Sequence, residues 1–235
     1  MSNKPLLAVA VITLFWMGLG VGLSPAPAEE AGPAGAKTQP PRVQKERLMQ
    51  ALKELQHPEP LTRQKAVEYL GQAGDMSVVK RLASALADPH PQVREQAEKS
   101  MWMIWLRSGD PDTDKILYMG MELMASGQLQ NAINAFRRVI ERAPDFAEGY
   151  NKRATALYLA DRYKESLVDC DTTLRLNPHH FGAQFGKGLN YLKLRDFPKA
   201  LLAFRQTLKI LPYSESARSI VNALEERLKP QGKEL

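Results

Sequence analysis

The chain has 235 residues, of which 25% are charged and 44% hydrophobic, and its 32 Lys and Arg outnumber its 26 Asp and Glu by six. This balance is typical of globular proteins and excludes a wholly disordered or collagen-like chain. The single cysteine, Cys170, excludes an intrachain disulfide framework and a cysteine-rich zinc site.

The first element in chain order is an apolar stretch from Leu6 to Leu23, which follows Lys4 and precedes Ala26-Pro27-Ala28. A basic start, an apolar middle and small residues at the end are typical of a secretory signal peptide. Residues 1–28 are therefore predicted to be a signal peptide that is cleaved after Ala28. The expected location of the mature protein is the bacterial periplasm.

An alternative is that the apolar stretch stays attached as a membrane anchor. As a helix, residues 6–23 would extend about 27 Å, just enough to cross the hydrocarbon core of a bilayer. Membrane association is expected only through this segment, if it is not cleaved. Residues 29–42 are rich in Pro, Gly and Ala and are predicted to be a flexible linker.

A weak repeat follows the linker. Pro58-Glu59-Pro60-Leu61-Thr62-Arg63 returns 31 residues later as Pro89-His90-Pro91-Gln92-Val93-Arg94. The pattern resembles the HEAT-type repeats of bilin-lyase-like proteins over residues 43–110, which implies paired helices. The alternative is a plain helical domain packed on the next hairpin. Trp102 and Trp105 lie in an almost continuous apolar run, and we expect them in the core at the seam between this segment and the next; a partly exposed patch for a partner is the alternative.

The second half of the chain repeats with a period of 34 residues. Pro144, Pro178 and Pro212 keep that spacing, and small residues precede a larger one by 16 positions in the pairs Gly120 and Phe136, Ala154 and Cys170, and Gly188 and Phe204. Small residues let two antiparallel helices approach closely, and each proline ends the second helix of a pair.

This pattern resembles the tetratricopeptide repeat, as three repeats over residues 113–214. The resemblance implies an all-α, right-handed α-solenoid with little or no strand. Asp161 and Arg195 depart from the family by standing where a turn glycine is usual, while Gly127 keeps it. Residues 215–228 are predicted to form an amphipathic capping helix, and residues 229–235 a disordered tail.

The resemblance also implies a concave groove, lined by the first helix of each repeat, that holds an extended peptide or a partner helix. The predicted groove residues are Leu117, Tyr118, Met121 and Met124 in the first repeat, Asn151, Lys152, Arg153, Thr155 and Tyr158 in the second, and Phe185, Lys187, Leu189, Leu192 and Lys193 in the third. Methionine adapts to different shapes, so such a surface suits the apolar side chains of a peptide.

Arg153 and Lys187 occupy equivalent positions at which the family usually has leucine. A buried cation without a partner is costly. These two side chains are therefore expected to extend outward to solvent, to pair with an acid such as Glu148 or Asp171, or to contact an anionic ligand.

The sequence lacks the motifs of the common catalytic sites: a phosphate-binding glycine loop, His-Glu-x-x-His and Gly-x-Ser-x-Gly. Cys170 is expected to be a buried structural thiol, and His179-His180 a solvated or turn-capping pair; no cofactor and no metal site are predicted. The basic surplus is too small and dispersed for nucleic-acid binding.

The leading hypothesis is an exported, non-catalytic scaffold that binds another protein or peptide in the concave groove. The alternative is an envelope assembly or maintenance factor that binds an anionic ligand through Arg153 and Lys187. The oligomeric state is not predicted.

Overall fold

The computed structural model describes residues 41–229, which form eleven α-helices and contain no β-strand. The predicted all-α solenoid class is confirmed. The predicted signal peptide, most of the predicted linker and residues 230–235 of the predicted tail lie outside the described residues.

The HEAT-like segment consists of four helices and one short 3₁₀ turn. In chain order they are α1 (Pro41–Glu54), α2 (Pro60–Ala73), the turn Met76–Val78, α3 (Val79–Ala85) and α4 (Pro91–Trp105). Proline opens α2 and α4 because its fixed φ suits the first helical turn, where a backbone N–H has no helical acceptor. The helices α2 and α4 pack on each other, and Leu70, Leu82 and Met101 are fully buried between the helices of this segment. Since α1 begins at Pro41, two residues assigned to the linker are helical.

The repeated proline motif of this segment has a structural explanation. Arg63, at the end of the first copy, donates from Nη1 to the carbonyls of His57 and Pro58, and Arg94 in the second copy makes the same bonds to Asp88 and Pro89. Each arginine thereby satisfies carbonyl groups of the loop that precedes its own helix.

The tetratricopeptide-like segment consists of three antiparallel helical hairpins and one further helix. They are α5 (Pro111–Ala125) with α6 (Leu129–Arg142), α7 (Ala147–Leu159) with α8 (Tyr163–Leu176), α9 (Phe181–Lys193) with α10 (Phe197–Ile210), and α11 (Glu215–Leu228). A Cβ atom at Gly120 would lie 2.6 Å from the ring of Phe136, and one at Gly188 would lie 2.7 Å from the ring of Phe204. The pairs separated by 16 residues are thus the points of close helix contact within a hairpin.

The hairpin turns share one backbone conformation. Gly127, Asp161 and Arg195 have φ angles of 77°, 58° and 60°, in the left-handed region that favours glycine. First helices of neighbouring repeats (α5 with α7, α7 with α9) contact each other more extensively than second helices do. The stack therefore curves with its first helices on the inner side, and this inner surface is the concave groove.

Candidate partner-binding groove

The first repeat contributes little open surface to the groove. Leu117, Met121 and Met124 are buried in the cluster that joins α5, α6 and α7, so their side chains fill the hairpin core. Tyr118 is exposed, but it lines a separate shallow depression with Ile116 and other residues of α5. The expected methionine-rich binding surface is therefore a packed interior.

In the second and third repeats half of the predicted groove residues are also buried. They are Asn151, Lys152, Tyr158, Phe185 and Leu189. Thr155 and Leu192 are partly exposed, and Lys193 is exposed with its Nζ 5.9 Å from the centroid of the Tyr158 ring. The surface that remains open lies toward the C-terminal ends of α7 and α9.

The N-terminal ends of these helices are covered by the chain itself. The Trp102 ring is in edge contact with Phe181 (centroids 5.6 Å apart), and a Cβ atom at Gly182 would lie 2.8 Å from that indole. Trp105 also contacts Phe181, with centroids 5.0 Å apart. Trp105 is core at the seam between the two segments, as expected, whereas Trp102 is partly exposed and packs against that core. The aromatic partners of both belong to the third repeat. Although α4 directly precedes α5 in the chain, α4 packs across the groove instead of simply continuing the stack.

A buried polar network lies next to the tryptophans. Glu148 on α7 accepts a hydrogen bond from Asn151 (3.1 Å), pairs with Lys152 (3.2 Å) and contacts His180 Nε2 (2.8 Å). Lys152 Nζ also lies 5.2 Å from the centroid of the Trp102 ring. All four polar side chains are buried, so the network is a closed structural unit that a substrate cannot reach.

The hydrogen bonds of this network define its charges. His180 Nδ1 accepts from the backbone N–H of Ala183, so the ring proton lies on Nε2 and is donated to Glu148. Burial alone would raise the pKa of Glu148, but the charge of Lys152 and the hydrogen bonds from His180 and Asn151 outweigh burial and lower that pKa below its ordinary value. Glu148 is therefore a carboxylate balanced by Lys152. Of the two roles expected for His180, solvated or turn-capping, the structure shows the second, because His180 is buried and caps α9.

Arg153 points away from the groove and toward the second helices. It forms a two-fold ion pair with Asp169 on α8, with both N–O distances at 2.7 Å. Lys187 pairs with Asp171 at 2.6 Å. Each cation thus has a carboxylate partner, which accounts for both without an anionic ligand. The partner of Arg153 is neither of the two acids suggested for it.

Arg153 and Lys187 occupy equivalent repeat positions but pair with acids at different positions, because the carboxylates near them differ between the repeats. Asp171, the partner of Lys187, lies on the second helix of the preceding repeat. The equivalent position for Arg153, one repeat earlier, is Arg137, which carries the same charge as Arg153. Asp169, the partner of Arg153, lies within the same repeat as Arg153. The equivalent position for Lys187, one repeat later, is Ala203, which has no charge. Each cation therefore turns to the side on which a carboxylate is present.

Cys170 is a buried thiol on α8, as expected. Burial raises its pKa to about 12, so the thiol is protonated at neutral pH. Within residues 41–229 no group of three His, Cys, Asp or Glu side chains is arranged to hold a metal ion. None of the helices in that range has the length and apolar run needed to cross a bilayer.

Comparison with known families agrees with this architecture. The model of HEAT repeats matches residues 46–137, and the model of the tetratricopeptide repeat matches residues 118–169 and 171–215. The chain is a tetratricopeptide-repeat protein with a HEAT-like segment. The HEAT match extends beyond the predicted boundary at residue 110 into the first tetratricopeptide repeat. Tetratricopeptide repeats are in general non-catalytic interaction modules, and curved stacks of this kind present extended concave binding surfaces.

Several curated proteins resemble this tetratricopeptide-repeat protein. A TPR repeat-containing protein of Rhizobium etli is 27% identical over 124 residues, which is 53% of this chain and 61% of that protein. The human DnaJ homolog subfamily C member 3 is 30% identical over 43% of this chain and 20% of its own length. The chain thus spans less than two thirds of either relative.

Solved structures with a similar fold include the first TPR domain of Spaghetti (RPAP3) bound to an HSP90 peptide. It has 17% sequence identity and a TM-score of 0.49, and the match covers 50% of this chain and 94% of that domain. The TPR domain of Arabidopsis OM64 has 19% identity and a TM-score of 0.48 over 50% of this chain and 97% of its own.

The network centred on Glu148 was not predicted from the sequence. One signal was present, because Glu148 and Lys152 are four residues apart on one helix face. The contributions of His180 and of the tryptophans depend on how distant parts of the chain pack.

Proposed function

We propose that this protein is a non-catalytic scaffold that holds a segment of a partner protein in the open part of the concave groove. The proposal rests on one observation: α4 covers one end of the groove and leaves the other end open. The tryptophans of α4 cover the N-terminal ends of α7 and α9, while Thr155, Leu192 and Lys193 remain accessible toward the C-terminal ends. A partner segment would therefore lie against a short surface with one apolar side chain and one cation.

The chemistry of this surface favours an extended peptide with an apolar residue and an acid. Leu192 offers apolar contact, and Lys193 provides a positive charge that a carboxylate would approach from solvent. A non-catalytic function is supported by four titratable groups of this region, because each of them is either buried or already paired with an opposite charge. Glu148 and His180 are enclosed, and Arg153 and Lys187 are occupied by Asp169 and Asp171.

A display library of random peptides, selected on the full-length protein, tests this proposal. Peptides that bind the wild type are expected to bind Lys193→Glu at least about tenfold more weakly, because a charge reversal replaces attraction by repulsion. Lys209→Glu is the matched control, since Lys209 is exposed on the second helix α10 and lies outside the groove. Equal loss in both variants, or in neither, contradicts binding in the groove.

We also propose that residues 1–28 direct export, with cleavage after Ala28. The support is the order of a basic start, an apolar stretch and small residues in the sequence. Fractionation of cells that express the full gene, followed by mass measurement of the intact protein, tests this. A soluble envelope protein that starts at Glu29 is the expected result. A full-length protein retained in the membrane fraction would instead support an anchor formed by residues 6–23.

A further inference from the structure

A cavity lies on the outer face of the stack, between the second helices α6 and α8, with α7 as its floor. Its volume is about 260 Å³. Ile133 of α6 and Leu157 of α7 line it and are buried, whereas Arg137 of α6 and Val168 of α8 line it and are exposed. Arg153, which points away from the groove, also belongs to the lining. The cavity is therefore separate from the partner-binding groove and open to solvent.

Three guanidinium groups border this cavity, and only two of them have acid partners. Arg153 is paired with Asp169, and Arg162 is paired with Glu165 at 2.6 Å. The hydrogen bonds from Asp169 raise the pKa of Arg153, while burial and the charge of Arg162 lower it in part, so the two cations are close enough to repel each other. Arg137 has no hydrogen bond or ion pair in the described part of the chain. Three cations and two carboxylates leave a surplus of one positive charge.

The cavity also has an apolar side that faces solvent. Val168 is 65% exposed, which is the largest exposure of any large hydrophobic side chain in residues 41–229. Ile133 and Leu157 extend this apolar lining inward. A ligand that covers Val168 would remove apolar surface from water, which favours binding. The lining thus combines one unpaired cation with an aliphatic wall.

The charge and size of the cavity restrict the group that fits. A surplus of one positive charge favours a monoanion, whereas the dianion of phosphate would be repelled by Glu165 and Asp169. An ammonium group would meet the unpaired cation. Sites for small organic molecules usually begin at about 300 Å³, so this slightly smaller cavity suits a compact ligand. A carboxylate is a monoanion whose two oxygens match the planar donors of arginine.

We propose that this cavity binds a carboxylate joined to a small aliphatic group. Arg137 donates to the carboxylate oxygens, and the aliphatic group covers Val168 and extends toward Ile133 and Leu157. Two sources present this chemistry: a free aliphatic acid, and the carboxyl-terminal residue of a polypeptide when its side chain is apolar. The site does not depend on the groove, and it adds a second binding surface on the opposite face of the stack.

Calorimetric titration of the full-length protein with three small probes tests the chemistry. The probes are 4-methylpentanoate, N-acetylleucine and N-acetylleucine amide. Both acids are expected to bind, and the amide at least about tenfold more weakly, because it lacks the charge that Arg137 recognises. Tighter binding of N-acetylleucine than of 4-methylpentanoate assigns the site to a carboxyl-terminal residue, and the reverse order assigns it to a free acid. Displacement of either acid by equimolar inorganic phosphate would contradict the argument from charge.

Variants of the lining test the position of the site. Arg137→Gln should weaken binding of both acids about tenfold, through loss of a charge-assisted hydrogen bond. Arg138→Gln is the matched control, because Arg138 is the next residue, is also exposed and lines the depression beside Tyr118 instead. Glu165→Gln should strengthen binding about threefold, because it leaves Arg162 unpaired and raises the surplus to two positive charges.

Arg137, Arg138 and Glu165 are all exposed, so their variants should keep the melting temperature of the wild type. Lys193→Glu, which tests the groove, should leave the affinity for both acids unchanged. Failure of both acids to bind, or equal affinity of the wild type and Arg137→Gln, overturns this site and leaves the groove proposal intact. Weaker binding in Lys193→Glu but not in Arg137→Gln would place the acids in the groove and overturns the site as well.

Discussion

The indole of Trp105 lies flat on the imidazole of His180, with ring centroids 4.2 Å apart and planes 19° apart. Trp105 ends α4 of the HEAT-like segment, and His180 caps α9 of the third tetratricopeptide repeat. Because His180 also bonds to Glu148 of the second repeat, this contact joins three parts of the chain at one buried point. The two repeat segments should therefore unfold together.

Trp105→Ala tests this coupling. Removal of a fully buried tryptophan is expected to lower the free energy of unfolding by about 3–5 kcal/mol, through lost contacts and the cavity that remains. Urea denaturation at pH 7 measures the change. Met103→Ala is the matched control, because Met103 lies on the same helix and is 40% exposed, and it should change stability by less than about 1 kcal/mol. Similar losses in both variants would contradict a structural joint at Trp105.

The pH dependence of stability provides a second prediction, centred on Glu148. Its pKa is lower in the folded protein than in the unfolded chain, so ionised Glu148 contributes stability at neutral pH. This contribution is complete above the unfolded pKa and is lost as pH falls through the folded value. The free energy of unfolding should therefore begin to fall below about pH 5.

Glu148→Gln isolates this contribution. The substitution leaves Lys152 buried without a counter-charge, and breaking a buried pair in this way costs about 3–5 kcal/mol. The variant should be less stable at pH 7, and its stability should depend less on pH below 5. Glu225→Gln, at the exposed pair with Arg205, is the control and should change little. An unchanged acid slope in Glu148→Gln would mean that other carboxylates dominate acid unfolding.

The sequence predicts the hairpins of this protein better than it predicts the open surface. The 34-residue spacing of the three prolines and the pairing of Gly120 with Phe136 are local signals, because each hairpin packs on its neighbours in the chain. The position of α4 depends on contacts with α9, which no local pattern encodes. This packing covers part of the groove and encloses Lys152. Residues that were predicted to line the groove therefore lie in the core.

The left-handed turns yield a third prediction. Arg195 has a φ of 60°, where a side chain is strained by about 1 kcal/mol relative to glycine. Arg195→Gly is therefore expected to raise the free energy of unfolding by about 0.5–1 kcal/mol, and Gly127→Ala at the equivalent turn should lower it by about 1 kcal/mol. Asp161→Gly should raise the free energy of unfolding by less, because Asp161 accepts a hydrogen bond from the Tyr163 hydroxyl that the substitution removes. Denaturant titration measures all three, and a stabilised Gly127→Ala would refute the argument from backbone strain.

The two ion pairs at equivalent repeat positions should differ in strength. Arg153 and Asp169 are joined by two hydrogen bonds and are largely buried, whereas the Asp171 carboxylate that pairs with Lys187 is 56% exposed. Double-mutant cycles with alanine should give a coupling energy of about 1–3 kcal/mol for the first pair and below about 1 kcal/mol for the second. Addition of 1 M salt should weaken only the second appreciably. Equal coupling energies would show that burial does not govern these pairs.

The reactivity of Cys170 reports directly on whether α8 and α9 stay packed. The thiol is 2% exposed and its pKa is raised to about 12, so it offers neither access nor thiolate at pH 8. Iodoacetamide should leave the native protein unmodified and label one site per chain in denaturant. In Trp105→Ala the native labelling rate should rise as stability falls, because reaction requires opening of the structure. Rapid labelling of the native wild type, followed by mass spectrometry, would contradict a closed interface between these helices.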